Sequence, residues 1–295
     1  MDIETIKKIP QNFHLLKLSF DIIGIAAFGS RVKEHFTEDS DLDLLVVASG
    51  IPSKRQRRGL QAAGLKKLLP LMPIDILLLT KEETISNFKN HNPIFLDIAI
   101  EGIVLLDNNN FLAGIIAETR NYLSNSKIQK IEDGWVFPVK QGEPTFLSKV
   151  SNEDFSRAMY KDGERDFEIG KKLKDEAYFD KSVYHFQQAI EKFIKAVMIA
   201  VGVFKKTHFI GEELRLLIEK GSLPDNWKER LSDAAQISEE IEPEVSLSRY
   251  PGISEDTLWL PYEEYEETDA LNALNKAEKV QVIAKHFIIE WFGNK

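Results

Sequence analysis

Residues 22–47 read IIGIAAFGSRVKEHFTEDSDLDLLVV, and the reading of this stretch decides the fold of the first part of the chain. An apolar strand runs into a Gly29-Ser30 turn, a short polar helix or loop follows, and a second strand opens with carboxylates. Side chains alternate faces along a strand, so Asp41 and Asp43 are expected to point one way while Leu42 and Leu44 point into a core. Two carboxylates held side by side repel each other unless a cation lies between them. Hard divalent ions such as Mg²⁺ take oxygen ligands and commonly need only one or two protein carboxylates, leaving the other positions to water and phosphate. Gly, Ser and Asp are each ordinary turn residues; it is their order and spacing that point to a site for Mg²⁺ and a nucleotide.

The run Gly29-Ser30-Arg31, then Asp39-Ser40-Asp41-Leu42-Asp43 at the start of an apolar strand, resembles the motif of the minimal nucleotidyltransferases of the DNA polymerase beta superfamily, a fold shared with kanamycin nucleotidyltransferase. Glu34 stands where that motif usually carries a glycine. The resemblance implies an α/β (α+β) domain with a small mixed sheet over residues 1–107. It implies Mg²⁺ as cofactor and a nucleoside triphosphate, ATP or GTP, as substrate. Asp41 and Asp43 would ligate the metal, and Asp75 in PIDILLLT would supply the third carboxylate, as second metal ligand or proton acceptor. Gly29, Ser30 and Arg31 would contact the phosphates. The expected reaction moves a nucleoside monophosphate to a hydroxyl of a small molecule or a protein. The alternative is a catalytically weak or inactive nucleotide-binding protein, dimerising and regulatory or antitoxin-like.

At 295 residues the chain is long enough for two cores. It has no cysteine, which excludes disulfides and thiolate metal sites and favours a reducing compartment. The start lacks a basic segment followed by an apolar run, and the most apolar segments are interrupted or short, so the expectation is a cytoplasmic protein without a membrane span. The net charge of −9 is unevenly spread: 13 Lys and Arg face 14 Asp and Glu up to Asp107, and 25 face 33 beyond it. A duplex binder normally presents a basic face, so this balance disfavours nucleic acid as substrate.

Along the chain, a helix is expected over 2–20, strands over 22–28 and 41–48, and a helix with a cationic face in KRQRRGLQAAGLKKLL (54–69). That face is either solvated or in contact with a triphosphate or an acidic partner. PIDILLLT gives a third strand, and HNPIFLDIAIEGIVLLD a helix leading to a strand near Leu106. Residues 108–151, a helix over 111–123 and then the irregular DGWVFPVKQGEPTFL, whose Gly and Pro content suggests a hairpin or loop, read as the connection between domains. Ser151 and Asp154 have the spacing of a capping box. From there the pattern is helical: 152–175, the stretch KSVYHFQQAIEKFIKAVMIAVG ended by Gly202, 210–219, 225–241 and 269–291.

QQAIEKFIKA (187–196), Lys206-Thr207-His208 and Arg249-Tyr250-Pro251 resemble the HEPN domain, a helical bundle often encoded beside or fused to minimal nucleotidyltransferases. The resemblance implies an all-α bundle over 152–295 and a homodimer formed through it. Some HEPN proteins are ribonucleases carrying Arg, four to six residues, then His. None of the six histidines has an arginine at that distance upstream, which removes the group that would serve as general acid or base. His208 reads as a packed or capped histidine. Arg249 and Tyr250 read equally as a loop anchor or as a surface for a planar anion.

Overall fold

The computed structural model describes residues 6–7, 9, 18–32, 40–67, 73–145, 149–221, 223–254 and 257–293. Most of the expected N-terminal helix, the polar stretch with Glu34 and Asp39, and the histidines at 14 and 35 lie outside the described residues. The chain divides into two compact units, residues 1–127 and 128–295.

The first unit is built on a four-stranded mixed sheet. Its strands are β1 (Asp21–Phe28), β2 (Leu42–Ser49), β3 (Ile74–Leu79) and β4 (Ile103–Asp107), in the order β3-β2-β1-β4. β1 runs antiparallel to β2 and β4, whereas β2 and β3 are parallel. The parallel pair requires a crossover, and helix α1 (Gly59–Lys66) lies in it. Both faces of the sheet are covered. Leu42, Leu44, Val46 and Ala48 pack with Ile6, Ile9 and Leu65 on one side. Leu45, Val47 and Leu79 pack on the other against α2 (Lys81–Lys89), α3 (Pro93–Glu101) and α4 (Phe111–Asn125). That two-sided burial is why β2 reads LLVV rather than as a strict alternation. α4, read from sequence as part of the connection, belongs to this unit's core through Leu112, Ile115 and Ile116.

One buried arginine ties the crossover to the sheet. The Arg58 guanidinium donates to the carbonyls of Pro52 (2.7 Å), Ser53 (3.0 Å) and Leu78 (2.9 Å), and to the Glu83 carboxylate at 2.6 Å. Glu83 also closes the α2 capping box, accepting from the Thr80 amide at 2.9 Å while its own amide donates to the Thr80 hydroxyl. The basic segment around α1 is therefore not uniformly solvated, since Arg58 is 3% exposed.

The second unit opens with a small antiparallel sheet: β5 (Gln129–Ile131), β6 (Gly134–Val136) and β7 (Val203–Lys205), with β6 central. The Gly- and Pro-containing segment expected to connect the domains thus contributes a strand to this sheet. The bundle follows: α5 (Asn152–Asp175), α6 (Phe179–Ala200), α7 (Ile210–Glu219), α8 (Lys228–Ile241), the short α9 (Glu244–Leu247), a hairpin of β8 (Gly252–Ser254) and β9 (Thr257–Trp259), the short α10 (Pro261–Glu264) and α11 (Glu267–Phe292). The capping box read from Ser151 and Asp154 starts α5. Gly163 and Gly170, seven residues apart on α5, face Phe193 and Phe186, seven apart on α6. A Cβ at either glycine would come within 3 Å of the facing ring. Ser156 and Ser182 hydroxyls donate across the same seam to the carbonyls of Ala196 (2.7 Å) and Gly170 (2.9 Å). On the hairpin, Ile253 and Leu258 pair across the strands and are 84% and 64% exposed, so this element leaves its apolar pair uncovered. Among the described residues no helix is long and apolar enough to cross a membrane.

Two outcomes test these packing arguments. Burial raises the Glu83 pKa, but the hydrogen bonds from Arg58, Thr80 and Arg55 outweigh it and hold the carboxyl down at about 2, against an ordinary 4.5. Its stabilisation is therefore present above about pH 4.5 and lost as pH falls towards 2. Glu83→Gln should cost about 2–3 kcal/mol in urea unfolding at pH 7, and the difference from the parent should close on acidification. Gly163→Ala should cost about 1–3 kcal/mol by overpacking Phe193, reduced by about 1 kcal/mol through alanine's higher helix propensity.

Candidate active site

Three segments expected to carry the chemistry meet at one end of the first unit's sheet: the end of β1 and the starts of β2 and β3. Phe28 pairs with Asp43 across the antiparallel pair, and Asp43 pairs with Asp75 across the parallel pair. Residues in register share a face, so Asp43 and Asp75 stand side by side on adjacent strands. Asp41 is exposed and lies just before β2, which begins at Leu42. The Leu42 amide donates to the Pro73 carbonyl at 2.9 Å and locks the starts of the two strands together.

Gly29 closes on this row. Its φ of +82° is a conformation that residues with a side chain rarely adopt. A Cβ built there would lie 2.0 Å from Asp43 Oδ2, so the turn and the carboxylate occupy adjoining space only because Gly29 has no side chain. Ser30 starts a single tight turn, Ser30–Val32, closed by the Val32 amide donating to the Gly29 carbonyl at 3.3 Å. The rest of the short polar helix or loop expected here lies outside the described residues. Arg31 is buried, and its Nε donates to the Ser40 carbonyl. That contact braces the turn against the residue preceding Asp41.

Asp75 is 75% exposed at its side chain; its Oδ1 accepts from the Ile76 amide at 3.0 Å and lies 3.8 Å from the Lys66 ammonium. Lys66 was read only as part of a cationic face. Its place at the end of the crossover helix, entering the strand that carries Asp75, was the available signal. Among the described residues no three acidic or histidine side chains are gathered into one ligand cluster. The donor set itself suits a hard divalent cation: carboxylate oxygens on adjacent strand ends beside an open glycine turn, with no thiolate or imidazole among them.

In the second unit the HEPN-like motif residues are held by polar and cation–ring contacts. Glu191, 5% exposed, accepts from Lys195 (2.8 Å) and lies within hydrogen-bond distance of His208 Nδ1 (3.0 Å), fastening the segment after β7 to α6. Lys192 bridges Asp162 and Asp166 at 2.5 Å each. The Arg249 guanidinium lies over the rings of Tyr184 (5.1 Å) and Tyr250 (4.7 Å).

Residues 4–110 match the family described as polymerase beta, nucleotidyltransferase, and residues 156–286 match the HEPN domain family. The chain joins a polymerase beta-type nucleotidyltransferase domain to a HEPN domain. It is 35% identical over 144 residues to MJ1304, a toxin candidate of Methanocaldococcus jannaschii; the match spans 49% of this chain and 95% of that protein. Among solved structures, the archaeal HEPN homologue ST0689 is 26% identical, covering 45% of this chain and 97% of its own, with a TM-score of 0.35. Spectinomycin adenyltransferase AAD(9) from Enterococcus faecialis, solved with ATP and spectinomycin, is 14% identical, covering 97% of this chain and 100% of its own, with a TM-score of 0.39.

The Gly29 contact carries its own test. Gly29→Ala should lower stability by about 1–3 kcal/mol, from the positive φ and from displacing Asp43. Ser30→Ala, exposed and free of that constraint, should stay within about 0.5 kcal/mol of the parent. Urea midpoints of the two variants check the contrast.

Proposed function

We propose that the first domain transfers a nucleoside monophosphate from a nucleoside triphosphate, ATP or GTP, to a hydroxyl, releasing pyrophosphate. The observation that carries this reading is the Gly29 turn packed against Asp43, with Asp75 beside it in register. Like charges directly across a strand pair are unfavourable. Two adjacent carboxylates at a strand edge are thus better explained by a ligand that needs both than by the fold.

In this proposal the Gly29-Ser30 backbone and the Ser30 hydroxyl hold the β and γ phosphates, leaving the α phosphorus open to in-line attack. Arg31 braces the turn and adds positive charge behind it. Asp41 and Asp43 would hold Mg²⁺, which needs only one or two protein carboxylates and when bound neutralises charge on the triphosphate. Asp75, the most accessible of the paired carboxylates, takes the acceptor's proton as the oxygen–phosphorus bond forms and the bond to the pyrophosphate leaving group breaks. The acceptor is a hydroxyl of a small molecule or of a protein. The helical domain provides dimerisation.

A second reading, a nucleotide-binding regulatory or antitoxin-like protein that transfers nothing, draws support from the engagement of Asp75 by Lys66 and its own strand. Incubation with Mg²⁺, each labelled triphosphate and candidate hydroxyl acceptors separates the two. Pyrophosphate release that falls about 100-fold or more in Asp43→Asn supports transfer; saturable triphosphate binding with no release under any acceptor supports the regulatory reading. Asp75→Asn carries a distinctive signature. It should leave the ligand-free protein as stable as the parent or up to about 1 kcal/mol more stable, by relieving the repulsion with Asp43, while lowering release to the same extent as Asp43→Asn.

A further inference from the structure

A cavity of about 190 Å³ opens between the first half of α5 and the last turns of α11. From α5 it is lined by Arg157, Tyr160, Lys161 and Glu164, spaced three, four and seven residues along one helix face. From α11 it receives Lys285, Ile288 and Ile289. Three cations thus face one carboxylate, in a unit that elsewhere runs the other way: residues 128–295 hold 23 Lys and Arg against 32 Asp and Glu. Arg157 is steadied by Glu153 at 2.8 Å. Lys161 and Lys285 are exposed and enter no ion pair among the described residues.

The buried hydroxyl of Tyr160, a residue of the cavity wall, is also uncommitted. The Tyr160 ring is fixed by packing on Phe193, with centroids 5.1 Å apart. Its hydroxyl is buried and makes no well-formed hydrogen bond; Gln281 approaches without completing one. Burial, reinforced by the Glu164 charge, pushes the phenol above its ordinary pKa, so the group stays protonated and available as a donor. A buried hydroxyl without a partner costs about 1–3 kcal/mol unless something accepts from it.

We propose that this cavity is a binding site for a small phosphate monoester. The doubly charged head lies between Lys161 and Lys285, with Arg157 at the rim and the Tyr160 hydroxyl, sealed in the unliganded protein, donating to a phosphate oxygen once the Gln281 side chain beside it moves aside. The apolar body rests on Ile288 and Ile289. The volume is well below the roughly 300 Å³ at which drug-sized pockets begin, so the body is no larger than a single ring. The site is separate from the nucleotidyltransferase motif and stands whether or not that motif is active.

Phenyl phosphate is a direct probe, titrated calorimetrically into the full chain with inorganic phosphate, sulfate and phenol as comparison arms. The expected result is saturable binding of phenyl phosphate at about 1 mM or tighter, about tenfold weaker binding of inorganic phosphate, and none of phenol. The double variant Lys161→Ala with Lys285→Ala should weaken it at least tenfold without changing the unliganded melting temperature. Tyr160→Phe should weaken it several-fold. Asp43→Asn should leave it unchanged. Three results would overturn the proposal: no saturation by phenyl phosphate, equal binding of sulfate and phenyl phosphate, or binding that survives the lysine variant. Loss in Asp43→Asn alone would move the anion to the first domain and equally overturn it.

Discussion

The first domain's site depends on an atom that is missing. Asp43 can stand where it does only because Gly29 presents bare backbone to it, and Gly29 can do so only at a positive φ that turns the chain sharply at the end of β1. That turn fixes where Ser30 begins its own turn and how Arg31 reaches Ser40, and hence how the chain enters β2. The register of β2 against β3 then sets Asp75 beside Asp43. A local backbone choice is in this way converted by strand pairing into an arrangement of charges.

The crossover between β2 and β3 is held by comparable economy. Arg58 supplies the donors for three carbonyls and one carboxylate, and Glu83 serves at once as its counter-ion and as the cap of α2. A buried guanidinium is costly unless its donors are used, and the contacts made here are what such burial demands. In the second domain the corresponding device is steric. Paired glycines on α5 admit paired phenylalanines from α6, and serine hydroxyls answer carbonyls across the same seam.

Much of this was legible in the sequence where the information is local. The Gly-Ser turn, the carboxylates opening β2, the capping box at Ser151 and the long amphipathic helices all signal through neighbours a few residues apart. The signal failed where patterns were short or polar. α2 has little apolar periodicity in KEETISNFK, and its one mark was the capping pair Thr80 and Glu83. β7, β8 and β9 are three residues each, too short to show a period. The contact of Asp75 with Lys66, the burial of Arg58 within an apparently solvated basic run, and the facing of Asp43 and Asp75 all depend on residues brought together by folding. No window along the chain displays them.

The bare apolar pair on the β8–β9 hairpin has a consequence for the protein in concentrated solution. Among the described residues no third strand pairs with this ribbon, and with Ile253 and Leu258 exposed it joins open edges to a greasy face, the combination from which intermolecular strand pairing and aggregation begin. Glu263, Glu264, Glu266 and Glu267 follow it within eight residues. Like-charged residues flanking such a segment act as gatekeepers, because two copies approaching hairpin to hairpin must bring their acidic runs together. The negative charge beside this hairpin is therefore placed to oppose its self-association, and high salt, which screens that repulsion, is the condition under which such pairing is least opposed.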